Sequence, residues 1–233
     1  MAHFSPGFIA AGPPPLSGND SFTVLLLNCD GADTSTTFTD TSVGGANGNA
    51  TVTGNAQVDV AQKVFGTGSL LSDGSGDDIR YASNVDWQFG TGDFTIDFRL
   101  RLSSLTTCSL MNNMNTIGTN GWAFRFMSGG TGIRFLTNSG SATDRAWSPS
   151  IGAWYHVAFA RSGSTLKLFV DGTQLGADIT NSEALSNGGG DPLIIGNSQF
   201  IGESLPGWMD EIRISKGIAR WTSNFTPPAD VYG

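Results

Sequence analysis

The stretch Phe94-Thr95-Ile96-Asp97-Phe98-Arg99-Leu100-Arg101-Leu102 decides the fold. Phe94, Ile96, Phe98, Leu100 and Leu102 alternate with Thr95, Asp97, Arg99 and Arg101, the period of two that puts one face of a strand in a core and the other in water. On that reading Asp93 and Asp97 lie on the wet face beside Arg99 and Arg101 and form surface ion pairs. Outward from this strand, Gly121–Met127 and Gly132–Thr137 read as the next two, joined at Gly129-Gly130. Trp154–Arg161 and Thr165–Asp171 flank Ser162-Gly163-Ser164 as a hairpin, and Asp171-Gly172 supplies a second tight turn. Pro192–Asn197 and Gly207–Ser215 complete the later strands. Phe22–Cys29, Ser69–Leu71 and Ile79–Ala82 are the earlier ones. Asp33–Gly54 is a long polar connection, and only Lys216–Arg220 invites a short helical turn. Turn signals every 8–12 residues suggest an all-β sandwich rather than βαβ units.

Composition agrees. Of 233 residues, 32 are Gly and only 14% are charged, against roughly 25% in an average domain. Three glutamates (Glu183, Glu203, Glu211) are too few for a helix-rich surface. A net charge of −8 argues against a nucleic-acid partner, because phosphates need a basic patch. No window reaches the ~18 apolar residues of a membrane span, so no membrane partner is expected. Met1–Asp20 holds Pro13-Pro14-Pro15 and no basic residue, and reads as an extended arm rather than a secretory signal. Residues 21–233 then form one domain. Without an export signal, Cys29 and Cys108 are expected as free thiols, although pairing is open to them.

Four segments in order resemble a laminin G-like (concanavalin A-like) jelly-roll domain. They are Gly66–Ile79, Gly92–Leu100, the hairpin Trp154–Arg161 with Leu166–Gly172, and the closing Gly207–Ser215. The resemblance covers about Ser21 to Pro228 and implies a two-sheet antiparallel sandwich, often with a carbohydrate- or protein-binding role. The ending Lys216–Pro228 is similar to copies of the domain in tailed-bacteriophage virion proteins. That likeness implies a virion component, a capsid decoration or fibre accessory. It would be assembled in the bacterial cytoplasm, docked to other virion proteins by its arm, present in multiple copies or as a homo-oligomer, and able to hold host surface glycans. The alternative is a free or secreted bacterial carbohydrate-binding module.

Candidate chemistry is sparse. Glycoside hydrolysis needs two facing carboxylates, and a strand supplies them at i, i+2. No glutamate has an acidic partner at that spacing, and adjacent Asp210 and Glu211 should point to opposite faces, so no enzyme is expected. His156, mid-strand, reads as structural. The resemblance implies a structural calcium at the sandwich rim, with Asp30 and Asp210 as the matching positions, since first and last strands pair in this topology. Among six tryptophans, Trp122, Trp147 and Trp221 sit near loops or strand ends, while Trp87, Trp154 and Trp208 fall within core motifs. Arg145 with Trp147 is the most ligand-like pair.

Overall fold

The computed structural model describes residues 18–114, 121–129, 131–137, 142–186, 190–198 and 202–233. Two antiparallel sheets enclose one core. The larger is built from β1 (Thr23–Leu27), β3 (Gln57–Asp59), β4 (Ser69–Asp73), β6 (Phe94–Leu102), β11 (Trp154–Ser162), β12 (Thr165–Val170), β13 (Thr173–Gln174), β14 (Ile179–Thr180) and β16 (Pro206–Lys216). Its order is β13-β12-β11-β6-β16-β4-β3, with β1 added to β16 and β14 to β12. The smaller holds β2 (Thr51–Thr53), β5 (Asp78–Tyr81), β7 (Cys108–Asn112), β8 (Trp122–Met127), β9 (Gly132–Thr137), β10 (Ala142–Arg145) and β15 (Leu193–Ile195). These run β10-β9-β8-β7-β15-β5-β2. This is the all-β, two-sheet jelly roll expected from the strand pattern. Among the described residues no helix is long and apolar enough to cross a membrane.

The core forms as the alternation requires. Ile96, Phe98 and Leu100 of β6 meet Phe124 and Phe159, whose rings lie 3.6 Å apart centre to centre. Asp171 and Gly172 both take positive φ (47° and 74°), the backbone a two-residue hairpin turn needs. Lys216–Arg220 is not helical. β16 ends at Lys216 and the chain bends away, because Gly217 adopts φ +85°. The one 3-10 turn among the described residues is Val85–Trp87, opened by the Asn84 side chain accepting from the Asp86 N–H.

The outer face of the larger sheet departs from expectation. Asp97 and Arg213 are both 0% exposed. Arg213 donates to both Asp97 oxygens, at 2.9 and 3.2 Å, and the Tyr232 hydroxyl donates to the same carboxylate. His156 Nε2 lies 3.3 Å from Asp97. Asp97 is therefore no surface ion pair, and Asp93 instead accepts from the Gly163 N–H. The C-terminal segment is the cover. Trp221 and Phe225 stack at 4.1 Å and pack on Ala158, Ala160 and Phe169, and the Pro228 carbonyl accepts from Arg99.

Residues 1–17 of the expected arm lie outside the described residues. Its last three are laced into the sandwich. The Gly18 carbonyl accepts from Arg213, Asn19 N–H donates to the Gly233 carbonyl, and Asp20 pairs with Arg220.

Removing one partner of a buried ion pair leaves an uncompensated charge, which costs about 3–5 kcal/mol. Asp97→Ala should lower the unfolding free energy by that amount in urea titration. A loss below about 1 kcal/mol would mean the pair holds nothing together.

Candidate functional site

β1 pairs with β16, with Leu27 opposite Ile212, so the expected rim residues do come together. The Asp30 Oδ1 accepts from the Thr67 N–H and from the Thr67 hydroxyl at 2.9 Å. Asp210 Oδ2 accepts from the N–H groups of Val64 (2.8 Å) and Phe65 (3.2 Å), and its Oδ1 from the Glu211 N–H. Both aspartates thus clamp one loop, residues 64–67, to the sheet. Register slips between Asp210 and Arg213, and Glu211 takes φ +49°. At this bulge the strict opposition of adjacent side chains is lost. Glu211 turns to accept from Asn28 Nδ2 (3.2 and 3.3 Å) and from the Tyr232 N–H (2.9 Å).

Burial pushes the Asp210 carboxyl up to about 6, against the pull of its three N–H donors. Burial likewise raises Glu211 to about 7, with the charges of Asp210 and Asp30 adding to it. Burial also raises Asp97, but the Arg213 charge and His156 outweigh it and hold that carboxyl down at about 2.

Calcium takes six to eight converging oxygens. Among the described residues no three Asp, Glu, His or Cys side chains form a metal-holding group. The rim acids point instead at backbone and amide donors, so the side chains present do not make up a calcium site. A groove of about 340 Å³ opens beside Asp30, walled by the hydroxyls of Ser35, Thr37, Thr39 and Thr41. It offers no ring surface, since Phe38 is buried.

Arg145 and Trp147 are adjacent but occupied. Arg145 donates to the carbonyls of Ala177 (2.9 and 2.7 Å), Asp178 and Asp144, tying the edge strand β10 to the loop between β13 and β14. Trp147 is half-buried, edge-on to Phe126 and Tyr155. Of the other loop-side tryptophans, Trp122 is wholly buried and Trp221, part of the C-terminal cover, is buried against Ala158 and Ala160. Cys29 and Cys108 are both buried and free, and burial pushes the Cys108 thiol up to about 12.

Two further half-buried rings are ones that the strand motifs suggested were core. Trp154 of β11 and Trp208 of β16 stand directly opposite Arg101 of β6, one on each side, and all three are half-buried. Cross-strand partners share a face, so Trp154–Arg101–Trp208 is one row on the outer face of the larger sheet. The Arg101 guanidinium lies 5.3 Å from the Trp208 ring centre, and the Trp208 indole N–H donates to Asp59 at 2.7 Å, fixing that ring. The next rows, His156–Arg99–Asp210 and Ala158–Asp97–Arg213, lie under the C-terminal segment and the 64–67 loop. The tryptophan row lies beyond these covers.

A sequence profile described as the concanavalin A-like lectin/glucanases superfamily (Laminin_G_3) matches residues 73–220. The chain belongs to that superfamily. No curated protein sequence matches it. Among solved structures, it is similar to domain 4 of AbnA, an extracellular GH43 arabinanase from Geobacillus stearothermophilus, in complex with arabinotriose. The two share 17% identity and a TM-score of 0.67 over 84% of this chain and 93% of that one. It is also similar to the binding domain of Paraclostridial Mosquitocidal Protein 1 (16%, TM-score 0.64, covering 88% and 51%). The botulinum neurotoxin serotype D binding domain is another (18%, TM-score 0.61, covering 86% and 50%). The chain spans about half the length of those two toxin domains.

Among the described residues, Asp97 and Asp78 are engaged as ion-pair partners, and Asp210 and Glu211 as hydrogen-bonded clamps.

Two outcomes follow. Asp210 and Glu211 hold their protons more tightly folded than unfolded, so the stability they contribute is complete below the ordinary carboxylate range and is lost as pH rises through 6 and 7. The Asp97 contribution is present above that range and lost as pH falls toward 2. Tm should peak near about pH 5 and fall toward about pH 8, and Glu211→Gln should flatten that alkaline limb. A Tm rising steadily from pH 5 to 8 would contradict the assignment. Because the rim is held by hydrogen bonds, EDTA should leave Tm unchanged. A fall on chelation that calcium reverses would show that a cation holds it.

Proposed function

We propose that this chain is a non-catalytic carbohydrate-binding jelly roll whose ligand rests on the Trp154–Arg101–Trp208 row. The observation that carries this is the placement of two half-exposed indoles on one sheet face, that of Trp208 fixed by Asp59, with hydrogen-bond donors between them. Sugar rings present C–H faces to aromatic surface and hydroxyls to polar groups at its edge. The likeness to an arabinanase domain solved with arabinotriose, and to bacterial toxin binding domains, supports a free or secreted bacterial module over a virion component. The virion reading rests on Lys216–Pro228, and much of that stretch is accounted for by packing across the sheet.

The test is an oligosaccharide panel, arabinotriose included, titrated by calorimetry. Trp154→Ala and Trp208→Ala should each weaken binding about tenfold or more, roughly the 1.4 kcal/mol a lost aromatic contact is worth. Thr37→Trp, which fills the rim groove, should leave affinity unchanged. Loss of binding in the groove variant alone would move the site there.

A further inference from the structure

Of the twelve Lys and Arg side chains, all but Arg101 donate a hydrogen bond to a described oxygen. Arg101 makes no hydrogen bond and no ion pair among the described residues. Its Nε is buried without a partner, and its one recorded interaction is with the Trp208 ring. An unsatisfied buried donor costs on the order of 1–3 kcal/mol, and the cost is larger where the group carries charge. In a chain of net charge −8, a cation left unpaired beside 20 carboxylates points to a partner that arrives from outside.

The chemistry of that partner is restricted. Guanidinium has five donors in a planar fork and no acceptor, and it matches a carboxylate through two parallel bonds. The fork lies between two indoles on one sheet face, so a ligand that reaches it must also lay an apolar surface on those rings. A sugar ring bearing a carboxylate satisfies both demands. A neutral sugar would leave the charge unmatched, and a free carboxylate would leave the rings bare.

We propose that the Trp154–Arg101–Trp208 row binds an acidic saccharide, with Arg101 gripping the carboxylate and the two indoles holding the ring. This rests on the carbohydrate reading above and names the class of sugar. The probes are trigalacturonate and sialyllactose, each paired with its carboxyl-reduced counterpart, titrated into the full chain. One acid form should bind at least about tenfold more tightly than its reduced counterpart, and should weaken as salt is raised.

Arg101→Gln should erase that preference while leaving the chain folded, checked by an unchanged circular dichroism spectrum, since the side chain's contact in the fold is with the Trp208 ring. Arg101→Lys should keep only part of it, because a lone ammonium cannot supply the fork. Trp154→Ala should weaken both forms. Equal binding of acid and reduced forms, or a preference that survives Arg101→Gln, would overturn the acidic-sugar assignment and leave carbohydrate binding standing. Binding of neither these probes nor any of the neutral panel would overturn both.

Discussion

The ion pair between Asp97 and Arg213 organises this molecule. Both groups lie fully buried on what should be the solvent side of a sheet, and charges persist there only when paired and enclosed. The enclosure comes from the C-terminal segment. Tyr232 bonds to Asp97, Trp221 and Phe225 cover the adjoining alanines, and the last residue accepts from Asn19 at the start of the described chain. The cover therefore ties both ends of the domain to its middle strand. It also decides what remains open, because it stops short of the row that holds Trp154, Arg101 and Trp208.

Much of the fold was legible from local pattern. The alternation of β6 places Ile96, Phe98 and Leu100 correctly in the core, and the hairpin at Asp171-Gly172 follows from its turn residues. Strands too short or too uniformly buried to alternate were missed. All five residues of β7 (Cys108–Asn112) are buried, so no period of two shows through. Period also says nothing about covers. Asp97 looked wet because the segment that encloses it lies more than a hundred residues downstream. The same blindness reversed the tryptophans. Trp122 and Trp221, near loops in sequence, are buried by packing from a distance, while Trp154 and Trp208, within strand motifs, fall on the outward side of the pleat.

The rim shows where topology suffices and where it does not. Pairing of the first and last strands brings Asp30 and Asp210 to one end, as their positions implied. What each carboxylate does there depends on where the 64–67 loop aims its N–H groups, and no motif records that. Arg101 carried a similar hidden property. Its place on an outward strand face is evident from the alternation, but its lack of a hydrogen-bond or ion-pair partner among the described residues depends on where distant acceptors fold.

The proposed binding surface is the row of Trp154, Arg101 and Trp208 beyond the C-terminal cover. Six tryptophans give six indole N–H resonances, one for each ring, and these can be read together in a single 15N spectrum during saccharide titration. The account predicts that the signals of Trp154 and Trp208 move together while those of Trp87, Trp122 and Trp221 stay fixed. Movement centred on Trp147 with those two unmoved would contradict it.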